Sequence, residues 1–149
     1  MSARRACAPV LALALAAAGC GGSSSMSARQ LRTDAGRVCV VATQRLNSIP
    51  TPQVPSEGSS FLRRGIGALK PEITALAALH PTGEMATHLH RAQAATEQEL
   101  KMLQSTLKGL KAGNDPIVAF KTLQTQLAPL EKEAGAAWQA LKIPACAGA

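Results

Sequence analysis

Three observations predict an all-α fold for this 149-residue chain. No stretch alternates apolar and polar residues for long, as a half-buried strand would. Four segments instead repeat apolar residues at steps of three and four, the spacing that places side chains on one helix face. Prolines and glycines cluster between those segments, where helices must stop. Short connections make neighbouring helices antiparallel, so the simplest architecture is an up-down four-helix bundle with the first and fourth helices side by side.

The first helix is expected from about Ala28 to Ile49, with Leu31, Ala35, Val38, Ala42, Leu46 and Ile49 on one stripe. Pro50 ends it by excluding helical geometry at the residue before it. Ser27 and Gln30 have capping-box spacing, and Met26 and Leu31 occupy the positions of a hydrophobic staple. Met26 therefore has a structural reason to be present, although Met1-Ser2-Ala3-Arg4 recurs as Met26-Ser27-Ala28-Arg29 and a start at Met26 would give a cytoplasmic protein. Thr51 to Ser60, with Pro52, Pro55 and Gly58, reads as a loop.

The second helix is expected to begin near Ser59 or Ser60 and to carry Phe61, Leu62, Ile66, Leu69, Ile73, Leu76 and Leu79. Pro71 removes one backbone bond and should bend it, and Gly65 and Gly67 weaken its first half. Thr82 is expected to cap the third helix, whose stripe of Met85, Leu89, Ala92, Thr96, Leu100, Leu103, Leu107 and Leu110 leads to a stop at Gly113. Asp115 as N-cap and Pro116 at the first helical position open the fourth. Its stripe is Phe120, Leu123, Leu127, Leu130, Ala134, Trp138 and Leu141, with a kink expected at Pro129.

The N-terminus reads as a secretory leader: Arg4 and Arg5, an apolar run from Ala6 to Ala18, then small residues. The run is shorter than the ~20 apolar residues a spanning helix needs. Ala17-Ala18-Gly19-Cys20 resembles the lipobox of bacterial lipoprotein precursors, with Ala17 where that family prefers Leu. The resemblance implies cleavage before Cys20 and a diacylglyceryl thioether on it, palmitate among its acyl chains. The chain would then sit lipid-anchored on the extracytoplasmic face of the cell membrane. Ala16-Ala17-Ala18 also suits an ordinary signal peptidase, which would release a soluble secreted helical protein. The expected domains are a leader at 1–19, lipidated Cys20 with a flexible Gly/Ser tether at 20–26, and a helical bundle at 27–149.

Once Cys7 leaves with the leader and Cys20 carries lipid, Cys39 and Cys146 remain as an even pair in an oxidising compartment. With the first and fourth helices adjacent, the tail can fold back onto Cys39. A disulfide closing about 100 residues is expected as a staple, and no C-x-x-C motif suggests a redox role. The stretch Trp138 to Cys146, WQALKIPAC, with the helical Cys39 upstream, looks like the ending of small helical secreted or lipid-anchored proteins of high-GC bacteria. That resemblance implies the same Cys39–Cys146 pairing and no activity. Lys142 stands where a glycine is expected.

From Cys20 onward the chain has 130 residues, one domain with a modest core. Losing Arg4 and Arg5 lowers Lys plus Arg from 16 to 14 against 9 acids, which leaves a net charge of +5. That is a mild bias toward anionic partners, and Arg63, Arg64 and Lys70 form a basic patch suited to anionic headgroups. Phe61, Phe120 and Trp138 are the only aromatic residues, too few for the stacking platforms of nucleic-acid binders.

His80, Glu84 and His88 are weak candidates for a zinc or copper site. Glu84 and His88 are neighbours at i and i+4, His80 would have to fold back across Pro81, and His90 lies about 160° from His88 around the helix. The set is one ligand short of a closed zinc site. No nucleophile elbow, phosphate-binding loop, H-E-x-x-H motif or pair of acids flanking a cleft is evident, and Glu131 and Glu133 lie about 200° apart. The expectation is a noncatalytic interaction or structural module at the cell envelope, without a cofactor. Its partners would be the membrane through the lipid, anionic envelope components, or another envelope protein. The alternative is a zinc- or copper-binding lipoprotein.

Overall fold

The computed structural model describes residues 25–147. The leader, Cys20 and the tether up to residue 24 lie outside the described residues, as do positions 148 and 149. The described chain forms five α-helices and no strand. Helix α1 is Ala28–Asn47. The Ser27 hydroxyl accepts the Gln30 N–H at 3.2 Å, and Met26 lies against the core and meets Pro81 in an isolated bridge. The helix ends two residues before the expected Ile49. The Ser48 N–H bonds to the Gln44 and Arg45 carbonyls, and its hydroxyl donates to Arg45 O at 2.7 Å. Pro50 then keeps Ile49 out of helical geometry.

A 3-10 turn, Pro55–Glu57, runs straight into α2, Gly58–Ala77, so the loop is shorter than expected. Glu57 Oε2 accepts the Gln53 N–H at 2.8 Å and closes it. Gly58 permits a close approach, because a Cβ there would stand 2.6 Å from Phe120 Cε2 and the ring would have to shift. Pro71 is accommodated inside one continuous α2. The helix stops before Leu79, which packs half-buried against the core from the following turn. Near that end Leu76 O accepts both the Leu79 N–H at 3.1 Å and Gln93 Nε2 at 2.7 Å.

Helix α3 is Glu84–Lys111, and its N-cap is Gly83 rather than the expected Thr82. Gly83 has φ 63°, so a left-handed residue turns the chain, and its carbonyl accepts the Ala86 and Thr87 N–H groups. At the far end Gly113 has φ 94°. Asn114 N–H bonds to Gly109 O and Gly113 N–H to Leu110 O, the paired bonds of a Schellman stop. Helix α4, Pro116–Leu141, begins as expected with Asp115 Oδ1 accepting the Val118 N–H at 2.9 Å, and it continues through Pro129. It ends in a second Schellman pattern: Ile143 N–H to Trp138 O and Lys142 N–H to Gln139 O. Here the left-handed position is Lys142, φ 59°.

Beyond that turn a fifth, short helix, α5, covers Pro144–Ala147. The long α3 and α4 pack as an antiparallel hairpin, α2 packs on α3, and α1 on α2. The first and fourth helices were expected to lie directly together, but α5 packs against both. Ile143 and Cys146 are buried, so the tail supplies apolar surface that two alanine-rich faces lack. Arg32 Nε also donates to Leu141 O at 3.0 Å across this end. The main core joins Leu31, Ala35 and Cys39 of α1, Leu76 of α2, Leu89 of α3, and Trp138 and Leu141 of α4. Cys39 and Cys146 form a disulfide with Cα atoms 5.2 Å apart, 107 residues apart in sequence. No helix of the described residues is long and apolar enough to cross a membrane.

Two stability outcomes follow. Lys142→Gly should raise unfolding free energy by about 0.5–1 kcal/mol in urea, because a left-handed L-residue costs about 1–2 kcal/mol and glycine returns part of that as chain entropy. Cys39→Ala combined with Cys146→Ala should cost about 4 kcal/mol, since the crosslink restrains a loop of about 100 residues. Thermal unfolding of the pair should shift down by more than about 10 °C.

Candidate functional site

Glutamates from three helices converge midway along the bundle: Glu72 of α2, Glu99 of α3 and Glu131 of α4 line one cleft of about 590 Å³. Its apolar wall includes Leu46, Leu69, Leu103, Leu127 and Trp138. The cleft separates two apolar regions. On one side is the disulfide-linked core. On the other are Leu62, Ile66 and Leu123, with the Phe61 and Phe120 rings 6.4 Å apart.

Glu72 is only 8% exposed, and none of the described hydrogen bonds or ion pairs reaches its carboxylate. Burial raises its pKa, because taking a carboxylate out of water disfavours the charged form. Burial also pushes Glu99 up to about 7, and the neighbouring carboxylates of Glu131 and Glu72 push the same way. Thr96, the other buried polar side chain among the described residues, donates to Ala92 O at 3.0 Å and offers the cleft no compensating charge. No lysine, arginine or histidine lines the cleft among the described residues. Three of the chain's 9 acids thus share one cleft without a cation.

The expectation that no acids flank a cleft is corrected by this arrangement. Each glutamate lies on the stripe of its own helix: Glu72 between Leu69 and Leu76, Glu99 between Thr96 and Leu103, Glu131 between Leu127 and Ala134. An acid with apolar or buried neighbours one turn away on both sides was the available signal. Glu131 and Glu133 form no pair, as their angle implied; the partners of Glu131 come from other helices.

The histidine candidates are placed differently. His88 Nε2 stands 3.6 Å from Glu84 Oε1, while the Glu84 side chain is 90% exposed. His88 Nδ1 is buried with no hydrogen-bond partner among the described residues. His80 and His90 are exposed. Among the described residues no three His, Cys, Asp or Glu side chains are grouped to hold a metal ion. The structure therefore joins Glu84 to His88 and completes no ligand set with His80. The basic candidates Arg63, Arg64 and Lys70 are all exposed on α2. Cys20 lies outside the described residues.

No known family matches the chain, and no curated protein or solved structure matches it.

The raised Glu99 value gives a pH signature. Between pH 4.5 and about 7 the folded chain holds a proton that the unfolded chain has released, so stability is greatest at the acid end and falls as pH rises through that window. Glu99→Gln should flatten this fall. Solvent reaches the half-buried carboxyl and screens it, so the expected gain at pH 8 is about 1 kcal/mol, with little change at pH 5. Urea unfolding at the two pH values measures it.

Proposed function

We propose that the chain is an exported, lipid-anchored and noncatalytic binding module of the cell envelope, an up-down four-helix bundle closed by its C-terminal tail. Packing of each helix on the next through short turns supports the bundle reading. The observation that carries the envelope reading is the Cys39–Cys146 disulfide, a bond that persists in oxidising compartments. It accounts for both cysteines of the helical domain and leaves Cys20, in its lipobox-like setting, as the thiol for acylation. The tether Gly21-Gly22-Ser23-Ser24-Ser25 gives an anchored domain reach from the membrane surface. Exposed Arg63, Arg64 and Lys70 suit contact with anionic headgroups.

The three-glutamate cleft is the feature that makes this a binding module rather than a spacer. Glu72 is largely buried without a described partner, which opposes its ionisation, and a cationic ligand in the cleft would compensate it. The anchor is tested by cell fractionation: Cys20→Ser should move the protein from the detergent-extracted membrane fraction to the soluble one. Unchanged retention in membranes would sink the anchor.

A further inference from the structure

Glu72 is more than nine-tenths buried, has no described partner, and lines the cleft together with two further carboxylates. A site of this kind lacks a positive charge. What form the charge takes is limited by the geometry. The described residues group no three carboxylates, histidines or cysteines tightly enough to ligate a metal ion. A small inorganic cation also sheds its water reluctantly, and leucines cannot replace that water. The cleft, at about 590 Å³, is in the size range of sites for small organic molecules. Leu69, Leu103, Leu127 and Trp138 supply an apolar wall beside the acids.

We propose that this cleft binds an organic cation, an amine or ammonium whose head lies among Glu72, Glu99 and Glu131 and whose apolar body lies against Leu69, Leu103, Leu127 and Trp138. The inference rests on the binding-module reading and names its ligand class. The head relieves repulsion among three carboxylates from three helices, and the body gains by leaving water. A protonated amine also donates hydrogen bonds, which the unpartnered Glu72 carboxylate accepts.

Binding should depend on pH. Glu99 must be ionised to favour a cation, and its proton leaves near pH 7. The groups that face it are Glu72 from α2 and Glu131 from α4. On the other side of Glu72, Arg37 and Arg45 of α1 line the adjoining groove. The tail helix α5 contributes no titratable group, because Cys146 is crosslinked.

Trp138 is the only tryptophan and lines the cleft, so its fluorescence reports occupancy. The full chain, disulfide intact, is titrated at pH 8 with 1-adamantanamine and with 1-adamantanol, which has the same apolar body without the charge. The amine should give a saturable change with Kd below about 1 mM, and the alcohol should bind at least about tenfold more weakly. Glu72→Gln, whose fold is checked by circular dichroism, should weaken the amine by at least about tenfold, and Glu99→Gln is the second, independent variant. Lowering the pH to 6 should weaken the amine about three- to tenfold while it stays protonated.

Equal affinity for amine and alcohol overturns the proposal, as does amine binding that neither glutamine variant weakens. Saturation by calcium or zinc chloride alone, with displacement of the amine, also overturns it and makes the site a metal site. The anchor fails separately, by the Cys20→Ser fractionation, so loss of either reading leaves the other standing.

Discussion

The Cys39–Cys146 disulfide carries a burden that side-chain packing cannot, because five of the thirteen residues of the core cluster are alanines: Ala35, Ala92, Ala95, Ala134 and Ala137. Alanine lets helices approach closely but removes little apolar surface from water, at about 25 cal/mol for each Å². Much of the close packing among these small residues is supplied by Trp138, Leu141 and Ile143. Helix α1 packs chiefly on α2 and on α5, and α5 is four residues long. So short a helix has no stability of its own. Its position depends on the left-handed turn at Lys142, on burial of Ile143, and on the covalent bond. Through these the tail closes α1 against α4, and the bundle with it.

That closure bears on the cleft. Burial of Glu72 and Glu99, with the neighbouring carboxylates pressing on Glu99, opposes their ionisation in the folded chain. A core of alanine and leucine has little free energy to spare against this. Restraining the unfolded chain by a 107-residue crosslink is one device that offsets the opposition without filling the cleft. The crosslinked core borders the site directly, since Ala134, Trp138 and Cys146 line the cleft, and the acids lie between that core and the Phe61–Phe120 contact. Destabilisation stored in such a layer is what ligand binding can relieve.

Local chemistry was legible where one residue decides it. Ser27 and Asp115 cap their helices because a short oxygen-bearing side chain reaches backbone N–H groups three residues on. Gly113 stops α3 because its left-handed φ is cheap only for glycine. Thr82 misled because a threonine has the chemistry of a cap, whereas the turn after Pro81 is set by backbone geometry that Gly83 alone permits. Pro71 and Pro129 cost one hydrogen bond each, and helices anchored on both sides of them remain continuous. The fifth helix was hidden because four residues show no periodicity. The cleft was hidden for a different reason. Glu72, Glu99 and Glu131 are 27 and 32 positions apart along the chain. Each reads alone as a solvated acid at the border of a stripe, and only the register of three helices brings them together.

The sign of the site also runs against the charge of the domain. A chain with a formal net charge of +7 repels cations at long range. An acidic cleft in such a protein gains little from electrostatic steering, and its selectivity must arise at contact, within a Debye length of about 8 Å. At that range a bare charge competes with water for its own hydration, while a cation carrying an apolar body also recovers free energy from the leucine and tryptophan wall. The same arrangement fits the proposed anchor. A membrane surface with anionic lipids concentrates cations that carry apolar bodies and attracts the exposed Arg63, Arg64 and Lys70 of α2, the helix that also carries Glu72. A basic exterior would hold the domain near that surface while the acidic interior samples what collects there.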